Sequence, residues 1–281
     1  MHEIGGDSAY HSKLCPTNSH GSSRTRRNFG GGASGMPKLS VTIIAYNEEA
    51  NIQGALESVK WADEIVVVDS LSTDQTVDIC RQYTSRVFLH TWEGYARQKN
   101  LAAELASHDW IINLDADERV TPELREELQT LLRTDPRCDG YSVARRNHFL
   151  GRWIRGAGWY PDYVLRLYDK RRGRYPDREV HEKVEVRGQI GQLHHPMEHY
   201  TYRSIGAFLD RMDRYSTLAV REMVKEGIEL RWLDCAVRPF LAFIKMYFLR
   251  QGFRDGTHGI VLAGLYAGYT FAKYVKRWEI G

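Results

Sequence analysis

Two aspartates one residue apart, Asp115 and Asp117, close the segment Asp109-Trp-Ile-Ile-Asn-Leu-Asp-Ala-Asp-Glu118. Ile111, Ile112 and Leu114 read as a buried strand bounded by polar residues. In an extended chain alternate side chains share a face. The two carboxylates therefore converge on one object at the strand's C-terminal end, where open α/β sheets bind their ligands. Two hard oxygen donors suit Mg²⁺ or Mn²⁺ held jointly with the phosphates of a nucleotide. Asp-x-Asp alone is common in solvated loops. Its place after a buried strand gives it weight, as do the polar groups that end the strands before it.

Those strands are legible in order. Residues 39–45 are apolar and β-branched, as a strand requires, and run into the polar turn Tyr46-Asn47-Glu48-Glu49, which opens a helix to about residue 60. A second strand spans 65–69, and the hydroxyl-rich loop 70–76 caps a helix to about residue 83. A third strand covers 86–90. Helical spacing follows over 95–106, then the aspartate strand, then a helix announced by Thr121-Pro-Glu. This alternation predicts an α/β fold with a mostly parallel sheet and right-handed crossovers. Tyr46, Asn47 and Glu48 follow the first strand, Asp69 the second, Asp115 and Asp117 the fourth, all at one sheet edge. A carboxylate in the place of Asp69 can accept from a ribose hydroxyl or a base N–H. Neither a P-loop nor a G-x-G-x-x-G is present, so another device must hold phosphate.

At 281 residues the chain can bury a sizeable core. Its net charge of +3 conceals an asymmetry. Residues 36–140 carry 10 Lys/Arg against 19 Asp/Glu, residues 141–187 carry 12 against 6, and residues 203–281 carry 13 against 8. A basic back half suits an anionic partner such as a lipid surface or a phosphorylated acceptor. The four cysteines are scattered without a C-x-x-C pair, which argues against a zinc site or a disulfide scaffold and fits a reducing compartment. Residues 1–35 lack the apolar core of a signal peptide and read as a disordered extension rich in Gly, Ser, His and Arg.

The run Ser40-Val-Thr-Ile-Ile-Ala-Tyr-Asn-Glu-Glu, then Glu64-Ile-Val-Val-Val-Asp-Ser-Leu-Ser-Thr-Asp-Gln-Thr, Gln98-Lys-Asn and Asp115-Ala-Asp resembles the inverting family 2 glycosyltransferases of the GT-A fold. Later stretches look like one branch of that family, which includes bacterial enzymes that add glucose to the lipopolysaccharide inner core. These are Arg145-Arg-Asn-His-Phe-Leu-Gly-Arg-Trp-Ile-Arg, Gly158-Trp-Tyr-Pro-Asp-Tyr, Arg178-Glu-Val-His-Glu182 and His199-Tyr-Thr-Tyr-Arg203. The resemblance runs from about residue 38 to the end. One departure is Leu71, where the family usually carries a small residue, often Gly.

The resemblance implies that Asn47, Glu48 and Asp69, beside Tyr46, hold the uridine of a UDP-sugar. Asp74 is either a second nucleotide contact or the cap of its helix. Arg97 and Lys99 are placed to reach the diphosphate or the sugar. Asp117 is the expected direct metal ligand and Asp115 bridges metal and ribose. His199 matches a late histidine near metal or diphosphate. An inverting transfer also needs a base for the acceptor hydroxyl, a role worth about 10²–10⁴ in rate. Glu182 is the expected base, with Asp162 behind it and Asp177 and Glu179 as further candidates. Arg145, Arg146, Arg152 and Arg155 with Trp153, Trp159 and Tyr160 read as acceptor recognition, since aromatics stack on sugars and arginine grips phosphate or carboxylate.

The expected organisation is a GT-A glycosyltransferase domain over 36–202 and a helical appendage over 203–281. Its apolar pieces, 240–250 and 260–272, fall short of the roughly 20 apolar residues of a spanning helix. Flanking Lys245, Arg250, Arg254, Lys273, Lys276 and Arg277 suit an interfacial helix pair on the cytoplasmic face of the inner membrane, or a subunit contact in a homo-oligomer. The expected activity is transfer of a hexose from UDP to a lipid-linked glycan core, with no nucleic-acid partner. Two alternatives stand beside it: a nucleotidyltransferase, and a catalytically silent nucleotide-sugar-binding or scaffold protein.

Overall fold

The computed structural model describes residues 36–176 and 183–280, which form two compact units. The first comprises residues 36–144 and 163–197, the second 145–162 and 198–280. The expected division at residue 202 is thus redrawn: 145–162 and 198–202 group with the C-terminal helices.

In the first unit the chain alternates β1 (Leu39–Ala45), α1 (Glu49–Val59), β2 (Glu64–Asp69), α2 (Thr76–Arg81), β3 (Val87–Leu89), α3 (Tyr95–Leu105) and β4 (Trp110–Asp115). The short β5 (Glu118–Arg119) and α4 (Pro122–Arg133) follow, then β6 (Gly140–Phe149), whose second half enters the other unit. β1 lies between β2 and β4, parallel to both. It is buried over its whole length, with Ser40 and Thr42 buried among its apolar residues. Helices cover both faces. Val41, Ile43, Val67, Ile112 and Leu114 pack with Ile52, Leu56, Leu124 and Leu128 of α1 and α4. Val66 and Ile111 pack with Ala96 and Ala103 of α3 on the other side. Helix α4 starts where predicted: the Thr121 hydroxyl accepts from Leu124 N at 3.2 Å, with Pro122 in the first turn.

The sheet is mixed rather than mostly parallel throughout. Beyond β4 lies β8 (Asp162–Asp169), antiparallel to it, and then β6, giving the order β3-β2-β1-β4-β8-β6. The alternation of strand and helix stops after α4, so nothing supplies the crossover that another parallel neighbour would need.

In the second unit the remainder of β6 makes a hairpin with β7 (Arg152–Trp153), and β12 (Met197–Tyr202) lies beside β6. The short strands β9 (Gly173–Arg174), β10 (Glu185–Val186) and β11 (Ile190–Gln192) complete the numbering and belong to the first unit. Three helices follow: α5 (Ile205–Lys225), capped by Ser204, α6 (Asp234–Ile244) and α7 (Gly256–Ile280). Phe149, Ile154, Trp159, Tyr202, Phe208, Met246 and Leu262 form an aromatic core, and this burial ties 145–162 to the helices. Among the described residues no helix is long and apolar enough to cross a membrane.

Candidate active site

Strand register sets the level of the site. Asp115 stands opposite Ile44, and Asp69 opposite Ala45. Both acids therefore flank the end of β1, where the chain leaves as Tyr46-Asn47-Glu48. Exposure alternates along Asp115, Ala116 and Asp117 as half-buried, buried, half-buried. β4 ends at Asp115, and Ala116 and Asp117 form the turn into β5, so the alternation of an extended strand does not reach Asp117.

Two loops are pinned together there. Asn47 adopts φ 52°, in the left-handed region that Asn tolerates better than most residues. Its N–H donates to Ser72 Oγ at 2.8 Å, and its Oδ1 accepts from Thr73 N at 2.8 Å. Glu48 N donates to Thr76 Oγ1 at 2.8 Å, and the Glu48 carboxylate accepts from Asn51 Nδ2 at 2.7 Å. Asp74 accepts from Thr76 N at 3.0 Å and from Glu49 N at 3.1 Å. Asp74 thus ties the start of α2 to the start of α1. Burial would raise its pKa, but the Thr76 hydroxyl and these N–H groups outweigh that and lower it. Leu71 sits at φ 64°, which explains the family's small residue: glycine takes that conformation without steric cost.

Asp69 is bound up in its own loop. It is fully buried, and its two oxygens accept from Ser72 N at 2.8 Å and Ser72 Oγ at 2.6 Å. It holds the loop that Asn47 contacts. Tyr46 is exposed at the loop's start.

Asp115 anchors a buried cluster of four charges. Lys99 Nζ meets its Oδ1 at 2.9 Å, and Arg166 Nη2 meets its Oδ2 at 2.5 Å. The same Arg166 nitrogen reaches Glu118 Oε1 at 2.5 Å, while Glu118 Oε2 accepts from Asp115 N at 3.1 Å. Tyr175 Oη donates to Asn113 Oδ1 at 3.1 Å, which also receives Arg166 Nη1 at 3.3 Å. Burial alone would raise the Asp115 pKa, but the adjacent Arg166 and Lys99 hold it well below the usual carboxylate range. The same carboxylates hold the Arg166 guanidinium above its ordinary value against burial. Arg97, two residues before Lys99, stays on the exposed face of α3 near Glu93.

Sequence reasoning missed Arg166, Glu118 and Tyr175. Their signal was present: a lone arginine within Val164-Leu165-Arg166-Leu167-Tyr168, where the neighbours are strand core, must find a carboxylate.

The donor set of Asp115 and Asp117 fits a hard divalent ion. Mg²⁺ is commonly held by one or two carboxylates, with water and phosphate oxygens in the other positions. Among the described residues no group of three or more His, Cys, Asp or Glu side chains gathers as a metal site. His199 belongs to the second unit, where its Nδ1 meets Asn147 Oδ1 at 2.6 Å and the Thr201 hydroxyl at 3.2 Å. Asp162 joins the same network. Its Oδ2 accepts from Arg145 Nε at 3.0 Å, Arg145 Nη2 at 2.7 Å and Asn147 Nδ2 at 3.0 Å. Glu182, with Asp177 and Glu179, lies outside the described residues.

Known proteins match this chain along most of its length. The model of the family described as glycosyl transferase family 2 matches residues 40–191. A lipopolysaccharide core biosynthesis glycosyltransferase, LpsC of Rhizobium meliloti, is 34% identical over 258 residues, 87% of this chain and 94% of the relative. An uncharacterized glycosyltransferase of Rickettsia typhi is 30% identical over 257 residues, 87% of this chain and 88% of the relative. Among solved structures, the mannosyltransferase PcManGT of Pyrobaculum calidifontis superposes with a TM-score of 0.49 at 17% identity, covering 87% of this chain and 88% of that one.

Proposed function

The chain belongs to glycosyl transferase family 2 and is a glycosyltransferase, and from that premise we propose the reaction it carries out. It transfers a hexose, glucose foremost, from a UDP-sugar to a saccharide of the lipopolysaccharide core or another lipid-linked glycan, with inversion at the transferred carbon. The name of the Rhizobium relative supports the acceptor class. The observation that carries the donor reading is the pair Asp115 and Asp117, level with the stapled loops that follow β1 and β2.

In this reading Tyr46, Asn47, Glu48 and Asp74 shape the uridine cradle, and Asp69 positions Ser72 beneath it. Lys99 and Arg166 supply positive charge next to the diphosphate, with Asp115 fixing where they point. Asp115 and Asp117 would hold Mg²⁺ or Mn²⁺, which neutralises charge developing on the UDP leaving group. Glu182 takes the acceptor hydroxyl's proton. Asp162, the second candidate, already accepts three hydrogen bonds at one oxygen and serves to position Arg145 and Asn147. The nucleotidyltransferase and silent-scaffold alternatives give way to the family membership.

The helical unit rests on the cytoplasmic face of the membrane. Trp232, Phe240, Leu249 and Trp278 are 63–76% exposed, more apolar surface than a solvated helix needs. Lys245 and Arg250 lie among them.

Calorimetry with UDP-glucose, UDP-galactose and UDP-N-acetylglucosamine, with and without Mn²⁺, tests the donor. UDP-glucose is expected to bind tightest and only with metal. Asp117→Ala is expected to abolish metal-dependent turnover while the protein stays folded. Full activity in this variant, or no binding of any UDP-sugar, would overturn the reading.

A further inference from the structure

Three arginines of the second unit surround a cavity of about 310 Å³: Arg152, Arg155 and Arg254, together with Trp153 and Asp255. All three guanidinium groups are exposed, and among the described residues none forms an ion pair with a carboxylate. Asp255 is the one acid in the lining, and it is committed elsewhere. It is 2% exposed, and its oxygens accept from Arg155 N at 3.0 Å and Gly156 N at 2.7 Å. The cavity therefore presents three positive groups and no acid to balance them.

Two of the three arginines have neighbours that hold them. Arg155 lies over the Trp153 ring at 4.6 Å, and Arg146 lies over that ring at 5.0 Å. Arg254 donates to Gln251 Oε1 at 2.9 Å. A Cβ on Gly156 would stand 2.3 Å from the Gln251 carbonyl oxygen, so the two loops that carry the arginines touch backbone to backbone. Three guanidinium groups around one cavity raise the positive potential there, which favours an anion. Arginine forks match carboxylate and phosphate oxygens in pairs. The volume exceeds the need of a bare inorganic ion and meets the lower end of small-molecule pockets, about 300–1,000 Å³.

We propose that this cavity binds the acidic group, carboxylate or phosphate, of a sugar acid or sugar phosphate, and so selects an anionic saccharide as acceptor. The inference rests on the transferase reading only in naming that saccharide the acceptor. The pocket itself is a binding site whether or not the donor reading holds.

The test uses the full-length protein and calorimetry with glucuronate, glucose 6-phosphate and neutral glucose. The acidic sugars are expected to bind at least about tenfold tighter than glucose, since a hydrogen-bonded charge contact commonly contributes that much. Arg152→Gln with Arg254→Gln should erase the preference, and Arg152→Lys with Arg254→Lys should retain part of it, with the thermal midpoint unchanged. UDP binding is measured alongside. Its absence would count against the donor reading and not against the pocket. Equal binding of acidic and neutral sugars, or a preference that survives the glutamine pair, would overturn the inference. It would fall equally if the glutamine pair lost only its binding to phosphatidylglycerol vesicles, because the arginines would then be a lipid contact.

Discussion

Replacing Arg166 by Met tests whether the four-charge cluster under Asp115 holds the site together. Arg166 is 5% exposed, Glu118 is fully buried, and the Asp115 side chain is 30% exposed. In the native protein two cations face two anions. Arg166→Met leaves Lys99 alone against both carboxylates, and Glu118 loses a contact of 2.5 Å. Breaking one partner out of a buried ion pair costs about 3–5 kcal/mol, because the charge left behind remains desolvated. At about 2–4 °C per kcal/mol for a domain of this size, the melting point should fall by roughly 6–20 °C.

The control is to remove charges in pairs. Arg166→Met with Glu118→Leu leaves Lys99 and Asp115 as a neutral pair, and apolar replacement of a buried ion pair is often near neutral. The double variant should therefore be about 1–2 kcal/mol more stable than Arg166→Met alone, or better. Urea titration followed by tryptophan fluorescence gives both midpoints. The native Asp115 pKa lies below the unfolded carboxylate value of about 3.9. Its stabilisation is complete above that value and is lost as pH falls through the native pKa. The gap between wild type and Arg166→Met should accordingly narrow in acid. A cost under about 1 kcal/mol at neutral pH, or strict additivity in the double variant, would refute the reasoning.

Two further outcomes follow from the second unit. Burial raises the Glu198 pKa, but His148 at 2.6 Å and Arg146 at 3.0 Å lower it below its ordinary value. Glu198→Gln should therefore cost stability above the unfolded value of about 4.3 and progressively less below it, read as thermal midpoints from pH 3 to pH 7; a difference independent of pH would remove Glu198 from the acid limb. Phe240 and Trp278 are 63% and 68% exposed. Exchanging both for Ser should weaken partition into anionic vesicles by about tenfold or more in a sedimentation assay, given ~1.5–3 kcal/mol per large apolar side chain buried; unchanged partition would detach these residues from any membrane contact.

What the sequence made legible was whatever depends on neighbours along the chain. β1, β2 and β4 announce themselves as apolar runs. Asp115 closes one of those runs, and Thr121-Pro122 marks a helix start. What stayed hidden depends on partners far away. Arg166 is 51 positions from Asp115, and nothing local states that a later strand returns antiparallel beside β4. Asp69 shows how local a buried acid's partners can be. Its type and place suit a nucleotide contact, and the backbone N–H and the hydroxyl of Ser72, three residues on, each donate to one of its oxygens, so a short loop satisfies the buried acid.

The two units divide one problem of charge. Around Asp115 the cations and anions balance, so positive side chains stand buried and fixed, held by Asp115 and Glu118. Around Asp255 no such balance exists: the acid is spent on backbone N–H groups, and three arginines remain without a carboxylate among the described residues. A fold carries unbalanced charge at low cost only where water or a ligand reaches it. The first arrangement suits a site whose geometry must exist before an anionic donor arrives, because preorganised charge needs no rearrangement in the reaction. The second suits a partner that brings its own negative charge. On the proposed reading, with an anionic donor and an anionic acceptor, the two arrangements serve different partners, and substitutions at Arg152, Arg155 and Arg254 are expected to change acceptor preference without touching the residues around Asp115.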